Sequence, residues 1–407
     1  MIPTENRFQV DEQEIIIFGA GKIGRSFIGQ LFGMAGYKVV FVDIDRILVD
    51  LINKRRSYRV ITKSEKEETI VVRNVSAILA DDFDAVSEAV STAGILAVSV
   101  GKNAVGKVIP MIAAGLQFRY ERYPGHPLDI IIAENMISGA DFMKEILLKN
   151  LPPDFPFDQM TGLIETSIGK MVPIMSRADL EKDPLQVFAE SYNTLILDRK
   201  GFKNPIPPIK GLAPKENIKA WVDRKAFIHN LGHATAAYYG HFLHGDSVYM
   251  YEVLEDRKVL DFTREVMMQS ADILLSAYPD DYSPKELEDH IDDLLSRFRN
   301  RFLRDTVFRV GHDLCRKLSS DDRFMGAVRL GIRHGKPYEK ILRAMSYGFF
   351  FRVTDENGNF FEADLALLET LSTDFENTLI ENLKFSGESD SGIIGELKKC
   401  MNSINAL

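Results

Sequence analysis

The chain has 407 residues, 45% of them hydrophobic and 27% charged, which suits two packed domains and is too apolar for a disordered chain. Lys and Arg number 50 against 59 Asp and Glu, and the net charge of −9 argues against nucleic acid or an anionic membrane as the main partner. Two cysteines (Cys315, Cys400) offer no disulfide framework, no apolar run reaches the roughly 18 residues of a membrane helix, and the polar Met1–Glu14 stretch has no signal-peptide core, so a cytoplasmic location is expected.

The first elements alternate. Ile15–Phe18 is a continuous apolar run, as in a buried parallel strand, and the apolar spacing from Ile23 to Ala35 predicts a helix stopped at Gly36. Val39–Val42 reads as a second buried strand. Further strands are expected at Thr69–Val72, Ile95–Val100, Ile130–Ala133 and Gly162–Ser167, with helices at Asp84–Ala93, Ala104–Ala114 and Ser138–Lys149. This rhythm predicts an α/β Rossmann-like N-terminal domain with a mostly parallel, doubly wound sheet.

Beyond about residue 198 the rhythm stops. Gly201–Pro214 carries four prolines and reads as a connection. Long helical patterns follow at Glu216–Phe242, Leu254–Ala277, Pro284–Phe298, Asp322–Arg333 and Glu339–Ser346. Asp355–Asn359 reads as an exposed turn, and a polar stretch at Ser386–Ser391 precedes a short final helix. The expected division is 1–198 for a nucleotide-binding domain and 199–407 for a mostly α-helical substrate domain.

Gly19-Ala20-Gly21-Lys22-Ile23-Gly24 fits G-x-G-x-x-G between a buried strand and a helix. Gly19 permits the tight turn, Gly21 lets the backbone approach a pyrophosphate, and Gly24 lets helix and strand pack closely. The helix start offers free N–H groups and a partial positive charge to phosphates. Asp43 ends the second strand about 20 residues on, where an acid binds a ribose 2′-hydroxyl and repels a 2′-phosphate. NAD is therefore expected, with Arg46 the one nearby residue that favours NADP. Ser99 and Gly101, at the end of a later strand, are further candidates for cofactor contact, although an ordinary turn fits them as well.

Lys225-Ala226-Phe227-Ile228-His229-Asn230-Leu231-Gly232-His233 carries the other chemistry. On a regular α-helix Lys225, His233 and Asn230 fall near about 0°, 80° and 140°, on one face. Oxidation of a secondary alcohol must release a proton as hydride leaves. A desolvated lysine can take it without a metal, and an asparagine can stabilise the alkoxide. A polar helix face with no catalytic role has the same pattern, and spacing does not separate His229 from the others.

The glycine loop with Arg25-Ser26-Phe27-Ile28-Gly29, the K-x4-N-x2-H element, Ala133-Glu134-Asn135-Met136, and Arg309-Val310-Gly311 followed by Arg316-Lys317-Leu318-Ser319 and Asp321-Asp322-Arg323 together resemble the polyol-specific long-chain dehydrogenases. Within that mannitol dehydrogenase family the loop looks like that of the mannitol-1-phosphate 5-dehydrogenases. The resemblance implies Lys225 as acid/base, Asn230 and Asn135 as the oxyanion hole, and His233 on a substrate hydroxyl. It places Arg309, Arg316 and Lys317 on the substrate's distal end, where their charge suits a phosphate. The implied partner is a small sugar or polyol phosphate, in a monomer or weak oligomer. Two stretches depart from the family pattern: Gly169-Lys170 stands in place of Asp-Arg, and Glu190-Ser191-Tyr192 lacks the acid that follows the glutamate in some relatives.

Four histidines (His229, His233, His241, His244) lie within sixteen residues, but no cysteine is near and both pairs would reach one ion only if the helix broke, so no metal is expected. The reading is an NAD-dependent dehydrogenase interconverting mannitol 1-phosphate and fructose 6-phosphate. Alternatives are a tagaturonate or fructuronate reductase, a mannitol 2-dehydrogenase, a β-hydroxyacid dehydrogenase, or an NAD-sensing module without turnover.

Overall fold

The structure, a computed structural model, describes residues 9–136 and 138–406. Its strands are β1 (Asp11–Phe18), β2 (Lys38–Asp43), β3 (Ser57–Thr62), β4 (Glu68–Arg73), β5 (Val75–Leu79), β6 (Ala93–Val98), β7 (Leu128–Ile132), β8 (Thr161–Ser167), β9 (Val187–Ala189), β10 (Leu195–Asp198) and β11 (Leu212–Lys215). Eight of them form one sheet in the order β11-β10-β8-β7-β6-β1-β2-β5. Strands from β5 to β8 are parallel, with Ile15 paired to Val39 on one side and to Ile95 on the other. The strand order reverses between β1 and β6, the place where an open α/β sheet forms a ligand crevice at its carboxyl edge.

The continuous apolar runs are explained by burial on both faces. Ile15, Ile17, Val39, Phe41, Ile95 and Ala97 pack one face against Phe27, Ile28 and Leu31. Ile16, Phe18, Val40, Val42, Leu96 and Val98 pack the other against Val86, Val90, Ile109 and Ile112. Alternate residues serve opposite layers, so no position can be polar.

Three expectations are revised. Thr69–Val72 lies in β4, outside the main sheet; it joins a small sheet ordered β4-β3-β9, antiparallel to β3. The strand that follows β2 in the main sheet is β5, Val-Ser-Ala-Ile-Leu, whose mixed polarity gave a weaker signal. Gly201–Pro214 does not leave the first unit. It leads into β11, which pairs parallel to β10, while β10 is antiparallel to β8. The division between compact units accordingly falls between Ile218 and Lys219, not at 198/199.

The second unit is helical. The expected patterns appear as Arg257–Ala277, Pro284–Phe298, Arg323–Arg333 and Glu339–Tyr347, preceded by a composite helix from Ile218 to Leu243. Pro284–Phe298 starts where its sequence says it should: Ser283 and Glu286 form a capping box around Pro284. Glu362–Thr373 and Phe375–Glu381 were not anticipated, and the final helix, Ser391–Asn405, runs 15 residues.

Candidate active site

The first unit builds a dinucleotide cradle. Gly19 has φ +95°, a conformation that favours glycine, and its N–H donates to Val42 O at 2.8 Å. A Cβ on Gly24 would lie 1.9 Å from Gly19 O, so only glycine lets the helix start this close to the turn. A Cβ on Gly21 would meet nothing within 4 Å, which is the open space a pyrophosphate requires. Lys22 is exposed and Ile23 half-buried where the helix begins. Asp43 Oδ2 accepts from Ala20 N at 2.7 Å, and its Oδ1 accepts from Asp45 N at 3.0 Å. The acid thus holds the turn as well as standing at the end of β2. Arg46 is engaged elsewhere, 3.4 Å from Asp81. Ile44 and Ile47 are 87% and 72% exposed beside Asp43, an apolar pair that suits a flat base. As isolated residues in a turn they carried no sequence signal.

The neighbouring strand ends complete the edge. Ser99 follows β6, and its Oγ donates toward Phe18 O and Gly19 O at 3.2 and 3.3 Å, tying β6 to the glycine turn. Gly101, at φ +88°, donates its N–H to the buried Glu134 Oε1 at 2.7 Å. Burial pushes the Glu134 carboxyl up, while its bonds to backbone N–H groups oppose this. Asn135 follows Glu134, exposed, beyond the end of β7. The residues after β1, β6 and β7 therefore share one sheet edge, and the cradle fits NAD.

Asp43→Ala should weaken NAD binding and narrow the preference over NADP, since it removes both the negative charge and the anchor of Ala20 N. Titration of each cofactor by protein fluorescence checks this; equal affinity for both in the unmodified protein would remove the basis of the assignment.

In the second unit Lys225–Asn230 is a π-turn within the long helix. Leu231 N–H donates to Ala226 O, five residues back. With this i→i+5 closure, residues five apart stack one turn above another, whereas regular α spacing would splay them. The K-x4-N spacing is thus matched to a π-turn, and Lys225 and Asn230 are its two ends. Sequence angles based on a regular helix missed this. Burial lowers the Lys225 ammonium to about 8, with Arg323 acting in the same direction and Asp322 against it.

His233, one α-turn further, stacks on Phe298 with ring centroids 4.2 Å apart. Desolvation lowers it to about 4, so it is neutral at physiological pH. Its Nε2 is 3.4 Å from Asp305 Oδ2, but it makes no hydrogen bond there. A buried ring nitrogen left unsatisfied is costly, and a hydroxyl is the kind of group that would relieve it. His229 is buried against the same Phe298, and desolvation holds it neutral as well.

The basic residues are not equivalent. Arg309 is half-exposed and bidentate on the buried Asp305. Arg316 is 55% exposed and touches Asp313 and Asp322. Lys317 is buried, its Nζ donating to Val310 O at 2.6 Å and to His312 O, and burial lowers it to about 7. Asp364, on the unanticipated helix Glu362–Thr373, accepts from Asp313 N and Leu314 N at 2.9 and 2.6 Å and so places this segment. Arg323, matched in sequence but given no role there, is 9% exposed; its Nη1 donates to Asn230 O at 3.2 Å.

His244 pairs with Asp256 at 2.8 Å, and His241 Nε2 accepts from Arg352 N at 3.3 Å. Among the described residues no three His, Cys, Asp or Glu side chains converge as a metal-ligand set. In the first unit Lys170 is buried, its Nζ donating to Ser26 O, Gln30 Oε1 and Asn193 Oδ1 at 2.9, 3.2 and 2.7 Å, and Glu190 accepts from Met171 N. Of the two departures from the family pattern, Lys170 is thus packed against the helix that follows the glycine turn, and Glu190 holds the backbone next to it.

Residues 13–211 match the model of the mannitol dehydrogenase Rossmann domain, and residues 217–382 that of the mannitol dehydrogenase C-terminal domain. Among solved structures, the chain resembles a D-sorbitol dehydrogenase in substrate-free form, with a TM-score of 0.78 at 17% identity over 98% of this chain and 93% of the other. It also resembles Pseudomonas fluorescens mannitol 2-dehydrogenase, determined with NAD and D-mannitol: TM-score 0.75, 15% identity, 98% of this chain and 92% of the other. At those identities the likeness shows a shared fold. Both domain models, matched in order over most of the sequence, show that this chain belongs to the mannitol dehydrogenase family.

Proposed function

We propose that the protein interconverts mannitol 1-phosphate and fructose 6-phosphate, using NAD and a lysine acid/base without a metal. The coarser statement, an NAD-dependent polyol dehydrogenase, follows from the family and agrees with the cradle at Gly19–Gly24. The observation that carries the chemistry is the π-turn with Lys225 at one end and Asn230 at the other, followed by a neutral His233.

Bound NAD would supply the hydride acceptor. Lys225, lowered to about 8, takes the hydroxyl proton in oxidation and returns it in reduction. The Asn230 amide donates to the oxygen as it gains charge, and Asn135 is proposed as a second donor to that oxygen. His233 binds an adjacent hydroxyl without adding charge. Arg309 and Arg316, the more exposed members of the basic segment, are proposed to hold the phosphate, with Lys317 supporting the loop from beneath.

One observation favours a second reading. Arg309 already has Asp305, and Arg316 has Asp313 and Asp322. Cations so neutralised suit hydroxyls as well as phosphate, and two of the solved structures that share the fold are a sorbitol and a mannitol 2-dehydrogenase. Rates of NADH oxidation with fructose 6-phosphate, fructose, tagaturonate and fructuronate separate these. A single Arg–phosphate contact of about 1.5–3 kcal/mol predicts roughly 10–150-fold higher kcat/KM for fructose 6-phosphate than for fructose. Similar values for the two would sink the phosphate assignment and promote the free hexitol; preference for a hexuronate would move it to the reductases.

A further inference from the structure

We propose that Arg323 is a positioning residue for proton transfer: its guanidinium engages Asp322 and clamps the carbonyl of Asn230, so that Asp322 does not become the ion-pair partner of Lys225. The inference rests on the reading of Lys225 as the acid/base.

The geometry is local to the second unit. Asp322 is the N-cap of helix Arg323–Arg333 and Arg323 its first residue, and Arg323 reaches from the start of that helix to the end of the π-turn in another. Arg323 Nε donates to Asp322 Oδ1 at 2.8 Å, and its Nη1 donates to Asn230 O at 3.2 Å. One planar group thus spans the acid and the end of the π-turn, and fixes the helix that carries Lys225 and Asn230. Arg323 is nearly buried, where holding a cation is costly unless its donors are met.

The charges around Lys225 set the direction. At the start of helix Arg323–Arg333, Arg323 opposes the charged form of Lys225 and Asp322 favours it. His229 faces it from its own helix and is neutral. Arg316 also touches Asp322, at 3.4 Å, from the preceding segment, while Lys317 and His233 sense Arg323. Removing Arg323 deletes a cation that opposes the charged form of Lys225 and leaves Asp322 with one weaker partner, so two changes push Lys225 toward its protonated form. Removing the Asp322 charge pushes the other way. A guanidinium that served only as a strut would have no such signed effect.

The test is the pH profile of kcat/KM for polyol oxidation by the full-length protein with saturating NAD, using mannitol 1-phosphate, or mannitol if fructose proves the better ketose. Arg323→Met should raise the midpoint by about one pH unit, with about tenfold loss at pH 7 that narrows at high pH. Arg323→Lys should return part of that shift. Asp322→Asn, which keeps an N-cap residue, should lower the midpoint, and this variant decides the matter if Arg323→Met does not fold. Midpoints that stay put in the variants, with only the plateau or the melting temperature reduced, overturn the proposal. Lys225→Ala is measured alongside. If it keeps the unmodified profile, the reading of Lys225 has failed; if it is inactive while the Arg323 and Asp322 variants leave the midpoint unmoved, Arg323 alone has been misassigned.

Discussion

Lys225→Ala is expected to lower kcat by roughly 10²–10⁴-fold, the range for loss of a positioned acid–base group. An ordinary lysine, at about 10.4, is protonated at neutral pH and cannot accept a proton. Burial of Lys225 and the proximity of Arg323 bring it to about 8. The sign follows: oxidation needs the neutral amine, so its rate rises with pH through one ionisation near that value, and reduction, which needs the ammonium, falls over the same range. NAD affinity should survive the substitution, because Lys225 and the glycine turn lie in different units. EDTA should leave the rate unchanged. A Lys225→Ala protein that retains most of its activity, or a chelator effect reversed by zinc, would replace this mechanism with one in which the histidines hold a metal.

Gly24→Ala and Gly21→Ala are expected to fail in different ways. At Gly24 the new Cβ would lie 1.9 Å from Gly19 O and 3.1 Å from Ser99 Oγ, and the first of these is backbone of the turn itself. Helix and turn must separate, so the melting temperature falls and kcat/KM at low NAD drops by roughly 100-fold, the scale of about 1 Å of misplacement. At Gly21 the Cβ meets nothing in the protein, so stability should hold while NAD binding weakens, because the space it takes is the ligand's. Thermal melts with and without NAD distinguish the two. A Gly21→Ala protein that binds NAD as before would show that the pyrophosphate lies elsewhere.

The main sheet was readable because it is buried on both sides. Ile15–Phe18, Val39–Val42 and Ile130–Ile132 face apolar layers at every position, and composition records that directly. The glycine fingerprint was readable for a related reason: close approach and positive φ exclude other residues, so geometry is written in residue identity. Strand β5 was not, and Glu68–Arg73 was readable as a strand but not as part of a separate small sheet, because the pairing of such strands depends on partners distant in sequence. The place of β11 was hidden likewise, since an edge strand of Leu-Ala-Pro-Lys has little pattern of its own.

The candidate site divides along the same line. Lys225, Asn230 and His233 were legible as residue types suited to alcohol oxidation. That the first two are the ends of a π-turn was decided by packing of the helix, since an inserted residue changes no residue type. The basic segment was legible as charge, but charge alone does not say where a side chain points. Only the folded chain turns Lys317 inward to carbonyls, gives Arg309 to Asp305, and brings Arg323 against Asn230 across 93 residues. Local chemistry determines which elements form and which residues can react. The partners that bury, orient and tune those residues come from remote parts of the sequence, and only tertiary structure selects them.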